Sequence, residues 1–293
     1  MKPAKASKKN AKAESAAMLE RSRCVVLSQW EELLLLRRAV LKTSNLDDIH
    51  DLRVASRRFR AVLGLFAPLT RAGSVVELNK CVRKLTRVLG GLRNIDEALL
   101  FFQSRTAPEI TDDNRLCSLL PEMRTVELSR IHKTLKAFDH KHLERTVLEI
   151  AAGLSGGRIR GLKKNSLTAY LSGVSVKLFQ HINDLTPTAT VPEQRESRHA
   201  LRIAIKKWRY FFEIISPVIE RDYCSVLGQL KEYQTILGRM NDVAEFDLLC
   251  RSLKLSPVEH EDIEKILLAE DQLLLESFAA LVEHKPFTYT YFA

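Results

Sequence analysis

Glycine, proline and aromatic residues are all scarce in this 293-residue sequence, which has 11 glycines, 9 prolines and 7% aromatics. That scarcity argues against collagen-like and turn-rich β architectures and favours helices. No stretch approaches the roughly eighteen apolar residues of a membrane-spanning helix, so no membrane attachment is expected. The five cysteines form no CxxC pair and are odd in number. They read as reduced thiols of a cytoplasmic protein rather than a disulfide framework or a zinc site. Catalytic signatures are missing too. There is no P-loop, nucleophile elbow or HExxH, and His140 and His142 lack an acidic or cysteine partner at metal-ligand spacing. No catalytic residue, metal or cofactor is implied, and a binding protein rather than an enzyme is expected.

Negative charge is scarce in one region. Between His50 and Arg93 there are ten Arg or Lys and only two acids, Asp51 and Glu77. The last forty residues lean acidic, so the net charge of +10 is concentrated locally. A local positive excess points to a polyanionic partner: nucleic acid, a phosphate polymer or an acidic membrane surface. The basic N-terminal stretch, residues 1–15, reads as a disordered tail, and 285–293 as a C-terminal tail.

Hydrophobic periodicity near 3.6 runs through almost the whole chain, with no alternating strand pattern. Helices are predicted over about 17–43, 47–66, 74–89, 95–105, 113–137, 139–152, 159–184, 192–215, 218–237, 242–253 and 257–284. Proline and glycine fall between most of these segments.

The stretch HDLRVASRRFRAVLGLF (50–66) carries four arginines and a histidine. On a helix, His50, Arg53, Arg57 and Arg60 share one arc, and Leu52, Ala55, Phe59, Val62 and Leu63 share the opposite one. The apolar arc faces a core; the cationic arc faces water or an anion. Arg58, like Lys207 in the repeat described next, lies about 80–100° off this stripe. The pattern recurs as HALRIAIKKWRYFFEII (199–215), where His199, Arg202, Lys206, Lys207 and Arg209 align with His50, Arg53, Arg57, Arg58 and Arg60. Leu201, Ala204 and Trp208 repeat the apolar face, and Trp208 and Tyr210 read as core. Each basic helix is followed by a second repeated feature, Leu89-Gly90 and Leu237-Gly238, which reads as a helix end with a left-handed glycine. A capping box follows each, Asn94-x-x-Glu97 and Asp242-x-x-Glu245.

The copies lie 148–149 residues apart. This internal duplication predicts an all-α fold of two antiparallel four-helix-bundle-like halves related by a pseudo-twofold. The halves span about 17–153 and 158–284 within a single domain, 16–284, and a basic cleft or pore is expected between them.

Four motifs in order carry a resemblance to the CHAD domain family: H-x-x-R-x-x-x-R-R-x-R at 50–60, H-x-x-R-x-x-x-K-K-x-R-Y at 199–210, LGxxRN at 89–94 and LGxxND at 237–242. Asn94 stands where the family pattern has Asp. The resemblance implies paired helical bundles, binding of inorganic polyphosphate and association with polyphosphate granules. Some relatives carry an N-terminal CYTH triphosphatase domain; no ExExK motif is found here, so a stand-alone copy is expected.

The expected polyphosphate-binding residues in the first half are His50, Arg53, Arg57, Arg58 and Arg60, then Lys80, Arg83, Lys84 and Arg87 on one face of the next helix, and Arg93. Arg158, Arg160, Lys163 and Lys164 open the second half, followed by His199, Arg202, Lys206, Lys207 and Arg209. Arginine suits such a ligand because its planar fork grips two phosphate oxygens at once. The two histidines have two readings: donors to phosphate, or buttresses at the start of each basic helix. Asp96 and Asp242 are expected to orient arginines or cap helices. Nucleic acid is the rival partner, although basic residues interleaved with stacking aromatics are not evident.

Overall fold

The computed structural model describes residues 3–104, 115–155 and 167–289. Nine α-helices account for nearly all of them, and no strand occurs among the described residues. They are α1 (Pro3–Thr43), α2 (Leu46–Phe66), α3 (Val75–Gln103), α4 (Arg115–Lys136), α5 (His140–Ser155), α6 (Leu167–Ala189), α7 (Arg195–Ile219), α8 (Cys224–Arg251) and α9 (Pro257–His284), with a single 3-10 turn at Ala67–Leu69.

Helix starts follow local chemistry. The Asn45 side chain accepts a hydrogen bond from the Asp47 N–H and opens α2, and Asp47 and Asp48 add negative charge to its first turn. A reciprocal capping box between Ser256 and Glu259 opens α9.

Helix α1 packs against α2, α4 and α5, while α2 pairs with α3 and α3 with α4. A second set runs α6 on α7, α7 on α8 and α8 on α9. The sets join where α1 and α2 meet α7, where α1 meets α6, and where α3 crosses α8. The apolar faces expected from the sequence are the buried ones: Leu52, Ala55, Phe59, Val62 and Leu63 on α2, and Leu201, Ala204 and Trp208 on α7. Trp30 packs on Phe59 and Phe138 in the first set. Trp208 packs on Phe179 and Phe212 in the second. Phe101, Phe102 and Phe246 meet at the α3–α8 seam.

The structure corrects several boundaries. Helix α1 begins at Pro3, inside the segment expected to be a disordered tail. The run PAKASKKNAKAESAA is rich in alanine and lysine, which favour helix whether or not the segment is packed. Where two helices were expected within 74–105, residues 75–103 form one, and so do 224–251. Gly90 and Gly238 sit inside these helices, so the two glycine turns do not exist. Asn94 and Asp242 therefore open no helix, and the two capping boxes become mid-helix side chains free to reach across the seam. Pro187 and Pro217 lie inside the ends of α6 and α7 rather than between helices. The C-terminal segment is docked at least through Tyr289: Phe287 stacks on Tyr233 at 4.0 Å between centroids, and Tyr289 contacts Phe179. The Tyr233 hydroxyl donates to the Lys285 carbonyl at 2.8 Å.

Candidate functional site

The buried apolar faces of α2 and α7 pack into the protein, which leaves their cationic faces turned toward shared space. Helices α2, α3, α7 and α8 enclose a polar cavity of about 400 Å³. Arg53, Arg57 and Arg60 enter it from α2, and Arg83, Arg87 and Arg93 from α3. Helix α7 supplies His199 and Arg202, and α8 supplies Asn241 and Glu245. A second groove of about 620 Å³ lies over α7, with α2 on one side and α6 on the other. Arg57, Arg60, His199 and Arg202 line both spaces, and Lys206 and Lys207 extend the charge into the second. The two cavities therefore share one cationic wall.

Charge is crowded here beyond what an exposed face would show. Arg53 and Arg202 are each only 8% exposed. The Nε–H donors of Arg53, Arg60 and Arg202 are buried without an acceptor among the described residues. Burial, reinforced by Arg57, Arg93 and Arg202, pushes the Arg53 guanidinium down to about 9. Burial also lowers Arg202, with Arg57 and Arg93 adding to the effect and Asp242 and Glu245 opposing it. Arg60 is lowered by burial and then by Arg83 and Arg57. Lys206 responds most: burial, then Arg202, Arg57, Arg53 and Arg93, push its ammonium down to about 6. Each shift has the same origin, since a positive charge in a partly desolvated, positive neighbourhood is disfavoured until an anion arrives.

Arg93 is different. Its guanidinium grips the Asp242 carboxylate with both terminal nitrogens, Nη2 donating at 2.7 Å, and Glu97 lies 3.3 Å from its Nε. These carboxylates outweigh its burial and raise its pKa. One turn along the same seam, Asn94 donates to Glu245 at 3.0 Å. A bidentate clasp plus a second hydrogen bond fixes α3 against α8 at the floor of the cavity. Asp242 thus orients an arginine, one of the two roles the sequence left open for it, and Asp96 does the same for Arg124 at 2.8 Å.

His199 pairs its Nδ1 with the Asn241 side-chain oxygen at 2.8 Å. With Nδ1 donating, Nε2 becomes a donor only in the imidazolium. His50 is exposed and lines neither cavity.

Other expected residues also lie elsewhere. Arg58 and Arg209 both face Glu213, at 3.5 and 3.2 Å, and line neither cavity. Arg58 lies off the α2 stripe, whereas Arg209, the counterpart of the on-stripe Arg60, is turned to Glu213 one turn along its own helix α7. Lys80 and Lys84 are exposed and outside the cavity, whereas Arg83 and Arg87 line it. Arg158, Arg160, Lys163 and Lys164 lie outside the described residues. The sequence reading missed Asn241 and Glu245 as lining groups. Asn241 aligns with Arg93 across the 148-residue repeat, and that alignment was the available signal.

Residues 24–250 match the CHAD domain family. Two solved structures share the fold. The CHAD domain from the plant Ricinus communis aligns with a TM-score of 0.67 at 20% identity, covering 93% of each chain. PptA from Streptomyces chartreusis aligns with a TM-score of 0.64 at 18% identity, covering 93% of this chain and 99% of that one. No curated protein matches the chain in sequence.

Proposed function

Because this chain belongs to the CHAD domain family, we propose that it binds inorganic polyphosphate along the cationic wall shared by its two cavities. The observation that carries this reading is the set of buried guanidinium donors on Arg53, Arg60 and Arg202 that have no acceptor in the described protein. Leaving buried charged donors unmet is costly, and a ligand oxygen that meets one gains about 1.5–3 kcal/mol per charged hydrogen bond. A chain of phosphates offers an acceptor and roughly one negative charge at every repeat, which matches a track of cations spaced along two helices. Arg57 and Arg60 stand at the junction, where one extended anion would touch both cavities.

The chain acts as a binder rather than a hydrolase in this reading. Phosphohydrolysis ordinarily needs carboxylates to hold a metal at the phosphate. Among the described residues, Glu245 is the acidic side chain that lines the polar cavity, and it accepts from Asn94; Asp242, just outside the lining, is committed to Arg93. Association with polyphosphate granules would follow from binding to long chains.

The test is a titration of the full chain with long-chain polyphosphate at two salt concentrations, with duplex DNA as competitor, beside the double variant Arg53→Glu/Arg57→Glu. A thermal melt checks that the variant folds. Tight binding that weakens with salt, resists DNA and collapses in the folded variant is the expected result. Binding that DNA displaces at equal charge concentration, or that survives the double substitution, would show a generic basic surface and overturn the assignment.

A further inference from the structure

Inorganic polyphosphate has no apolar surface, yet the groove over α7 is only half cationic. Alongside Arg57, Arg60 and Lys206, the residues Leu65, Tyr170, Val174, Leu178, Ile203 and Ile214 line the groove as a hydrocarbon wall. Ile203 is 40% exposed, although it sits on a helix whose apolar side is otherwise buried. The Tyr170 hydroxyl already donates to the Leu65 carbonyl at 2.8 Å, so it offers that donor to no ligand. Glycine supplies a second, independent observation. Gly64 lines this groove from within α2, where glycine costs a helix about 1 kcal/mol relative to alanine. A Cβ there would meet nothing within 4 Å, so packing does not require the missing side chain. Its effect is to widen the groove along the hydrocarbon wall.

We infer that this groove binds a phosphate or diphosphate ester of an aliphatic alcohol, with the phosphate on Arg57, Arg60 and Lys206 and the hydrocarbon chain along the Leu65–Leu178 wall. The inference rests on the anion-binding reading of the cationic wall and extends it to an organic ligand. Burying a chain there removes apolar surface of both ligand and protein from water. A nucleoside phosphate fits this wall poorly, because the polar edge of its base would meet hydrocarbon and lose its hydrogen bonds to water. The groove volume of about 620 Å³ accommodates a phosphate with a chain of octyl length or longer.

The test measures binding of n-butyl, n-hexyl and n-octyl phosphate to the full chain by calorimetry, each below its micelle concentration, with inorganic phosphate as reference. At about 0.8 kcal/mol per buried methylene, affinity should rise roughly fourfold per added carbon until the wall is filled. Gly64→Leu, which fills the groove with a good helix former, and Ile203→Ser should each flatten that rise. An octyl ester that binds no better than inorganic phosphate overturns the inference and leaves the polyphosphate track standing. A rise that survives both variants places the alkyl chain elsewhere and also overturns it. Octyl phosphate binding in a protein that ignores polyphosphate would instead remove the polyphosphate assignment and keep this one. Recovery on dioleoyl phosphatidate vesicles without affinity for the soluble esters would mean a membrane headgroup is read, and the soluble-ester assignment fails.

Discussion

Lys206 should take up a proton when a polyanion binds. In the empty protein its ammonium is held down to about 6, far below the ordinary 10.5 of a lysine. Burial comes first among the causes, then Arg202, Arg57, Arg53 and Arg93. Arg60, Lys207, His199 and Tyr210 face the same groove. At pH 7.5 a group of this pKa is charged in only about 3% of molecules. A phosphate chain beside it favours the charged form, so binding at pH 7.5 should draw close to one proton from solution. The same linkage makes affinity fall by up to about tenfold per pH unit above pH 6, until the pKa of the bound state is reached. Calorimetry at pH 7.5 in buffers of different ionisation enthalpy reads the proton count directly. Phosphate end groups titrate in this range as well, so the comparison is with Lys206→Arg, which stays charged throughout. Wild type should take up about one proton more than the variant; equal uptake in the two proteins would refute the argument. The sign for stability is also fixed. A lysine whose folded pKa lies below its unfolded value weakens the empty protein as pH falls from about 10 to about 6, with no further loss below that.

Three further outcomes test the architecture. Gly90→Ala and Gly238→Ala should each stabilise the protein by about 0.5–1 kcal/mol in urea denaturation, because both glycines are mid-helix with open space around the added methyl; destabilisation would restore the left-handed turns. Asp242→Asn should cost roughly 3 kcal/mol by the same assay, since it leaves the Arg93 guanidinium partly buried beside a neutral amide, and Arg93→Gln on top should cost less than it does alone. Gly153→Ala would place its methyl 2.9 Å from the Thr70 Cβ. It should lower stability by about 1–3 kcal/mol, and an unchanged melting temperature would show that the contact relaxes freely.

Helices α2 and α7 were legible because their signal is local. A 3.6-residue period sorts Phe59 and Trp208 inward and Arg57 and Lys206 outward without reference to anything distant. The glycines were not legible for the complementary reason. Leu89-Gly90 has the local chemistry of a helix end, yet α3 continues past it with Leu89 and Leu92 both fully buried. Arg93 counted as one more free cation because its partner lies 149 positions away. Face-sharing along α3 was half informative. Arg83, Arg87, Gly90 and Asn94 follow an i, i+4, i+7, i+11 line along the cavity. Lys84 points off that line, and Lys80 lies a turn beyond the cavity's end. A repeat reveals which side chains match, whereas only the tertiary crossing reveals which copies meet a neutralising partner on another helix, as Arg58 does at Glu213.

Helix α1 touches α2, α4 and α5 and also α6 and α7. Its Arg21 donates to the Val218 carbonyl at 2.6 Å, across 197 positions of sequence. During synthesis, then, an early-made helix must wait for one of the last. At about 5–20 residues per second, the ribosome needs roughly 10–40 s to deliver that partner. Through that interval α2–α5 can cover one side of α1, but the side meant for α6 and α7 stays open to water. In the last part of that wait, while residues 156–218 are being made, α2–α5 are complete and the apolar strip of α1 is still open, which is the stage at which a chaperone would matter most.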